Sequence, residues 1–158
     1  MLLEEKIGII LKKKKLTIAI AESCTGGLIA HRITNVPGAS AYLETGFVTY
    51  SNRAKELFLK VPGAIIAKKG AVSGDVAQLM AEGARKAAGA DIGLSVTGIA
   101  GPGGGTKKKP VGTVFMGLSH GDKTLTQKCF FSGSRTEIKS QTSEEALRFL
   151  MKYIEGKI

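Results

Sequence analysis

Leu16-Thr17-Ile18-Ala19-Ile20-Ala21-Glu22-Ser23-Cys24-Thr25-Gly26-Gly27 is the stretch that decides the fold. Residues 16–21 alternate large and small side chains with β-branched content, the signature of a buried strand. Residues 25–35 then place Leu28, Ile29 and Ile33 on one side of a helix. A buried strand that runs straight into a helix is an α/β unit, and its turn faces the carboxyl end of a sheet. Such a turn exposes side chains beside the free N–H groups of the helix start.

Working outward, the same alternation recurs. Leu3, Ile7, Ile10 and Leu11 make residues 3–14 an amphipathic helix whose basic end is Lys12 to Lys15. Val36-Pro37-Gly38 ends the helix at 25–35, and 43–50 reads as a second strand closing on Phe47-Val48-Thr49-Tyr50. Ser51 caps a short helix at 52–59, after which Val61-Pro62-Gly63 breaks the chain. Ser73 caps a helix at 74–88, and 92–96 is a third strand followed by a glycine-rich loop. Strands at 111–118 and 124–131 form a hairpin around Ser119-His120-Gly121-Asp122. A last helix covers 136–154. The pattern predicts a three-layer α/β/α sandwich with a mixed, roughly five-stranded sheet, and one domain over residues 1–158.

Composition narrows the class. A chain of 158 residues with 43% apolar and 23% charged residues can bury a core without disulfides or metal. Glu4 and Glu5 stand where a signal peptide would be basic, and no apolar run is long enough to span a bilayer, so a cytoplasmic protein without membrane contact is expected. Cys24 and Cys129 are then reduced thiols, and His31 and His120 lack partners at ligand spacing, so no metal site is expected. The net charge of +10 is concentrated in residues 1–15 and 101–134. Two separate basic stretches, whose lysine runs have no interleaved aromatics, imply attraction to anions, while nucleic-acid binding is not expected.

Three groups of residues carry possible chemistry. Ser23, in Glu22-Ser23-Cys24-Thr25-Gly26-Gly27, is a candidate nucleophile with nearby amides as oxyanion donors; Ser23 or Thr25 serves equally as a plain helix cap. Cys24 is an alternative thiol nucleophile or a packed core residue. Thr97-Gly98-Ile99-Ala100-Gly101-Pro102-Gly103-Gly104-Gly105-Thr106 suits an anion cradle, with Lys107 to Lys109 beside it, or is simply a flexible loop. It matches neither a Walker loop nor the dinucleotide fingerprint. Tyr50 and Lys55 form the third group; Lys55 acts as a base only where burial lowers its pKa, and is otherwise a solvated lysine. Arg135, which opens the last helix, suits a carboxylate or phosphate.

Five ordered motifs together resemble one family. They are residues 21–27, Gly46-Phe47-Val48-Thr49-Tyr50-Ser51-Asn52, Gly70-Ala71-Val72-Ser73, Thr97 to Gly104, and Lys109-Pro110-Val111-Gly112-Thr113-Val114. The series is similar to the C-terminal domain of competence/damage-inducible protein CinA, a family of nicotinamide-nucleotide amidohydrolases, and runs from about residue 5 to 153. The resemblance implies conversion of nicotinamide mononucleotide (NMN) to nicotinate mononucleotide and ammonia, with no cofactor. It places the nucleophile on Ser23, its partners on Lys55 and Tyr50, a loop hydroxyl on Thr97 and a substrate-binding arginine on Arg135. Residue 134 is often Asp in that family and is Ser here. Many members also carry a large N-terminal domain that these residues do not include. The expected substrate contacts are Cys24, Thr25, Gly26, Gly27, Gly98, Gly101, Gly103, Gly104, Lys109 and Arg135. A pyridine nucleotide is thus the expected partner, bound for turnover or, alternatively, by a non-catalytic sensor. A homo-oligomer is expected through an open sheet edge or the Phe130-Phe131 pair.

Overall fold

The computed structural model describes residues 1–158. Six helices and five strands follow in the order α1 (Leu3–Lys14), β1 (Ile18–Glu22), α2 (Leu28–Thr34), β2 (Leu43–Val48), α3 (Asn52–Leu59), α4 (Gly63–Lys69), α5 (Gly74–Ala88), β3 (Ile92–Gly98), β4 (Thr113–His120), β5 (Lys123–Phe130) and α6 (Arg135–Ile154). The sheet order is β2-β1-β3-β4-β5. β1 is parallel to both β2 and β3, while β4 and β5 add antiparallel neighbours, so the expected mixed sheet forms.

The two faces of the sheet differ in side-chain size. Ile18 and Ile20 of β1, Ile92, Leu94 and Val96 of β3, and Val114, Met116 and Leu118 of β4 pack with α1, α2 and α6 in the larger core. The alternate positions on these strands are small except for Phe115 of β4, which reaches the start of α5 at Gly74. Ala19 and Ala21 pack with α3, α4 and α5 in the second core, and their neighbours in register are Gly93 and Ser95 of β3, then Ser119 and Gly117 of β4. This lets α5 lie close on the strands: a Cβ on Gly93 would meet the carbonyl oxygen of Ala81, and one on Gly117 that of Ala77. Ser95 and Ser119 tie α5 down through Ala77 O and Arg85 Nε.

Local chemistry moves several element bounds. α2 begins at Leu28 and not at residue 25, because Gly26 and Gly27 take φ of 64° and 104°, outside the helical region. Pro62 and Gly63 open α4, which the sequence reading missed: Pro62 sits at the N-cap, where its missing N–H costs nothing. The hairpin turns on Gly121-Asp122, with Gly121 at φ 58°. No helix is long and apolar enough to cross a membrane.

Candidate active site

The strand order makes β1 a switch point. The chain leaves β1 for β2 on one side, then crosses to β3 on the other, which opens a crevice at the carboxyl ends of these three strands. Ser23 follows β1, Thr49 and Tyr50 follow β2, and Thr97 and Gly98 end β3. The pairing of Glu22 with Val48, and Thr49 N–H donating to Glu22 O at 2.9 Å, bring Ser23 beside Thr49.

Glu22 builds the turn that presents Ser23. Its carboxylate is buried and accepts from Thr25 Oγ1, from Gly27 N and Ile29 N at 3.1 Å each, and from Ala30 N at 2.8 Å. A single acid thereby satisfies the donors at the start of α2 that no helical carbonyl reaches. Gly26 N–H donates to Ser23 O. The N–H groups of Cys24 and Thr25 make no hydrogen bond within the chain.

Lys55 arrives from the other layer. Ser51 caps α3 by accepting from Ala54 N at 3.0 Å, and one turn later Lys55 and Leu59 face inward together. Lys55 is only 1% exposed. Its Nζ lies 3.0 Å from Ser23 Oγ, 2.9 Å from Thr49 O and 3.4 Å from Tyr50 O. Burial away from water pushes the Lys55 pKa below its ordinary value. The Cys24 thiol moves the other way, to about 11, because burial disfavours its thiolate. Cys24 thus stays protonated at neutral pH, which leaves Ser23 as the hydroxyl in contact with an amine.

These groups line one cavity of about 320 Å³. Ser23, Cys24, Tyr50, Lys55, Thr97, Gly98, Gly101, Gly103, Gly104 and Arg135, all named from the sequence, line it together. Thr97 Oγ1 donates to Ala71 O at 2.9 Å, which fixes the wall between α4 and α5 against the glycine loop. The N–H groups of Gly101, Gly103 and Gly104 have no partner within the chain. Ser134 caps α6 in a capping box with Glu137, so the serine holds the cap position and sets Arg135 as the first helical residue. Arg135 donates to Gly101 O at 2.7 Å and to Tyr50 Oη at 3.0 Å.

Four residues named from the sequence do not line the cavity. The Thr25 hydroxyl and the Gly27 amide serve Glu22, and the Gly26 amide serves Ser23 O. Lys109 reaches over to Lys69 O at 2.8 Å, at the end of α4. Tyr50 meets Lys55 only through its backbone carbonyl, and its phenol bonds to Arg135. The sequence reading did not single out Asn52, Ala71, Val72, Ile99 and Ala100 as lining residues. Asn52 and the Gly70-Ala71-Val72-Ser73 run stand in the motif series, but nothing in their chemistry marks them as site residues.

Fold and site define a three-layer α/β protein with a buried lysine on a serine hydroxyl, set in a switch-point crevice walled by a glycine loop. Residues 2–154 match the CinA C-terminal domain model, and the chain belongs to that family. It is 51% identical over 152 residues to a CinA-like protein of Citrifermentans bemidjiense, covering 96% of this chain and 37% of that protein. A CinA-like protein of Geobacter sulfurreducens is 55% identical over 139 residues, covering 88% of this chain and 34% of the relative. The chain therefore spans about a third of the length of these curated relatives. Among solved structures, the competence/damage inducible protein CihA of Agrobacterium tumefaciens superposes with a TM-score of 0.92 at 40% identity, covering 94% of this chain and 92% of that one. A CinA superfamily protein of Klebsiella pneumoniae gives 0.94 at 32% identity, covering 98% and 96%.

Proposed function

We propose that the chain hydrolyses the carboxamide of nicotinamide mononucleotide to nicotinate mononucleotide and ammonia. The observation that carries this reading is the 3.0 Å contact between Ser23 Oγ and the buried Lys55 Nζ at the floor of the cavity.

The contacts of Lys55 suit a base. A neutral amine has two N–H groups and one lone pair. The carbonyls of Thr49 and Tyr50 take the N–H groups, which turns the lone pair to the Ser23 hydroxyl. The depressed pKa of Lys55 favours this neutral form. Ser23 Oγ then attacks the carboxamide carbon while its proton passes to Lys55. The carbonyl π pair moves to oxygen, where the unpaired N–H groups of Cys24 and Thr25 are the available donors. Collapse of this intermediate breaks the C–N bond, and Lys55 returns the proton to the departing nitrogen as ammonia forms. Water attacks the resulting ester with Lys55 again as base, releasing the carboxylate and restoring Ser23. The 5′-phosphate is suited by the unpaired amides of Gly101, Gly103 and Gly104 and by the remaining N–H groups of Arg135.

The test is ammonia release with NMN, its riboside and free nicotinamide. Release from NMN, weaker for the two compounds without phosphate, is expected, with loss of turnover in Ser23→Ala and a transient adduct on the Ser23 peptide by quenched mass spectrometry. Full activity in Ser23→Ala would end the proposal. Thermal stabilisation by NMN without ammonia would instead mark a binding module.

A further inference from the structure

The cavity contains a charge problem that the residues named so far do not solve. Its basic side chains are Lys55 and Arg135, and no carboxylate lines it. The nicotinamide ring of the proposed substrate is a pyridinium, flat and positively charged. Basic groups serve its phosphate but offer the ring nothing, and a charged Lys55 would repel it.

One lining group has the opposite electrostatics. Tyr50 lines the cavity and is 62% exposed, although its carbonyl contacts the buried Lys55. No other ring and no ammonium covers its face. Yet the ring is held at both ends. Its backbone is fixed after β2, where its carbonyl accepts from Lys55. Its hydroxyl is tied by Arg135, which is itself anchored on Gly101 O at 2.7 Å. A flat, electron-rich face that is uncovered and tethered at its tip is a preorganised surface for a flat cation.

We infer that Tyr50 is the platform on which the pyridinium ring stacks, with Arg135 as the positioning residue that holds the platform across the cavity mouth. The inference rests on the amidase reading and assigns the ring subsite within it. The tether uses two of the five N–H donors of Arg135, so the guanidinium can hold the phenol and still face a phosphate. Selection follows from charge: the oxidised ring is planar and cationic, while its reduced dihydropyridine counterpart is neutral.

The experiment measures binding in the Ser23→Ala background, where substrate is not consumed, and kinetics in the otherwise native chain. Isothermal titration with NMN and with reduced NMN should show the oxidised form favoured by about tenfold. Tyr50→Leu should collapse that preference and raise KM about tenfold, with a much smaller fall in kcat. Tyr50→Phe keeps the ring but loses the tether, and should raise KM by less than Tyr50→Leu does; Arg135→Met loses the tether and a phosphate contact together, so its KM rises further, yet both variants should keep the preference for the oxidised ring. Equal affinity for the two forms in the Ser23→Ala chain would overturn the inference. So would a Tyr50→Leu variant whose loss lies in kcat at unchanged KM, since that is the signature of a proton role. Thermal melts verify that the variants fold, which the exposure of Tyr50 favours. Absence of both ammonia release and NMN binding in the native chain would remove the amidase reading and the inference with it. Turnover of NMN with no effect at Tyr50 would remove the inference alone.

Discussion

Replacing Glu22 by Gln tests whether the turn presenting Ser23 is held by one buried carboxylate. The substitution keeps shape and volume and changes only charge and hydrogen-bond capacity. Oε2 accepts from Thr25, Gly27 and Ile29, while Oε1 accepts from Ala30 alone. Gln best keeps its carbonyl on the crowded side, which sets its NH2 against the Ala30 N–H. One charge-assisted bond worth about 2 kcal/mol is lost, and the other three weaken by about 1 kcal/mol each as the charge disappears. Relief of the buried charge offsets about 2 kcal/mol of this. The net expectation is a loss of about 3 kcal/mol, or a fall in Tm of roughly 6–12 °C for a chain of this size. Urea unfolding followed by circular dichroism at neutral pH gives the free energy, and a Cm shift at constant m assigns it to the native state. Ammonia release should fall as well, because Ser23 directly follows the altered residue. A Glu22→Gln chain within about 0.5 kcal/mol of wild type would refute the argument that this carboxylate organises the start of α2.

Lys55→Met should abolish turnover, and it also has a pH signature. The folded pKa of Lys55 lies below its ordinary 10.5. The unfolded chain therefore binds the extra proton, and wild-type stability relative to Lys55→Met rises with pH until about 10.5 and falls as pH drops towards the folded pKa; denaturant titrations across the alkaline range read this slope. Gly117→Ala forces a methyl group into Ala77 O and should destabilise by about 3 kcal/mol, measured by thermal melt, whereas alanine at Gly121, where nothing lies within 4 Å, meets only the strain of its positive φ.

Much of the fold was readable because hydrophobic periodicity and burial coincide. In β1 and β3 the large residues all point to one core, and in β4 all but Phe115 do, so alternation alone finds the strands. α4 escaped because Pro62-Gly63 has the same letters whether it ends one segment or opens the next; the burial of Ile66 against α5 decides, and that contact is tertiary. The strand assignment starting at Leu16 misses by two residues at its beginning, where Thr17 bonds instead to Asp91, 74 positions away. At the site, hydroxyl, amine and glycine loop were legible as residue types in ordered motifs. Their partners were not. Nothing in the sequence shows that Lys109 would reach Lys69, or that the Tyr50 phenol would bond to Arg135. Such choices depend on which group comes within 3 Å once the layers have packed.

The small-residue face of the sheet has a consequence for how the cleft tolerates change. The segment leading into α5, through Ala71 and Val72, forms one wall of the cleft, so the separation of α5 from the strands sets how wide the cleft opens. Substitutions on the opposite face meet flexible aliphatic neighbours that can repack. Enlargement at Gly93, Ser95 or Gly117 has no such outlet and would be transmitted along a rigid rod to a serine it never touches. The two sides of one sheet would then evolve under different rules, one drifting in volume and the other calibrating the aperture.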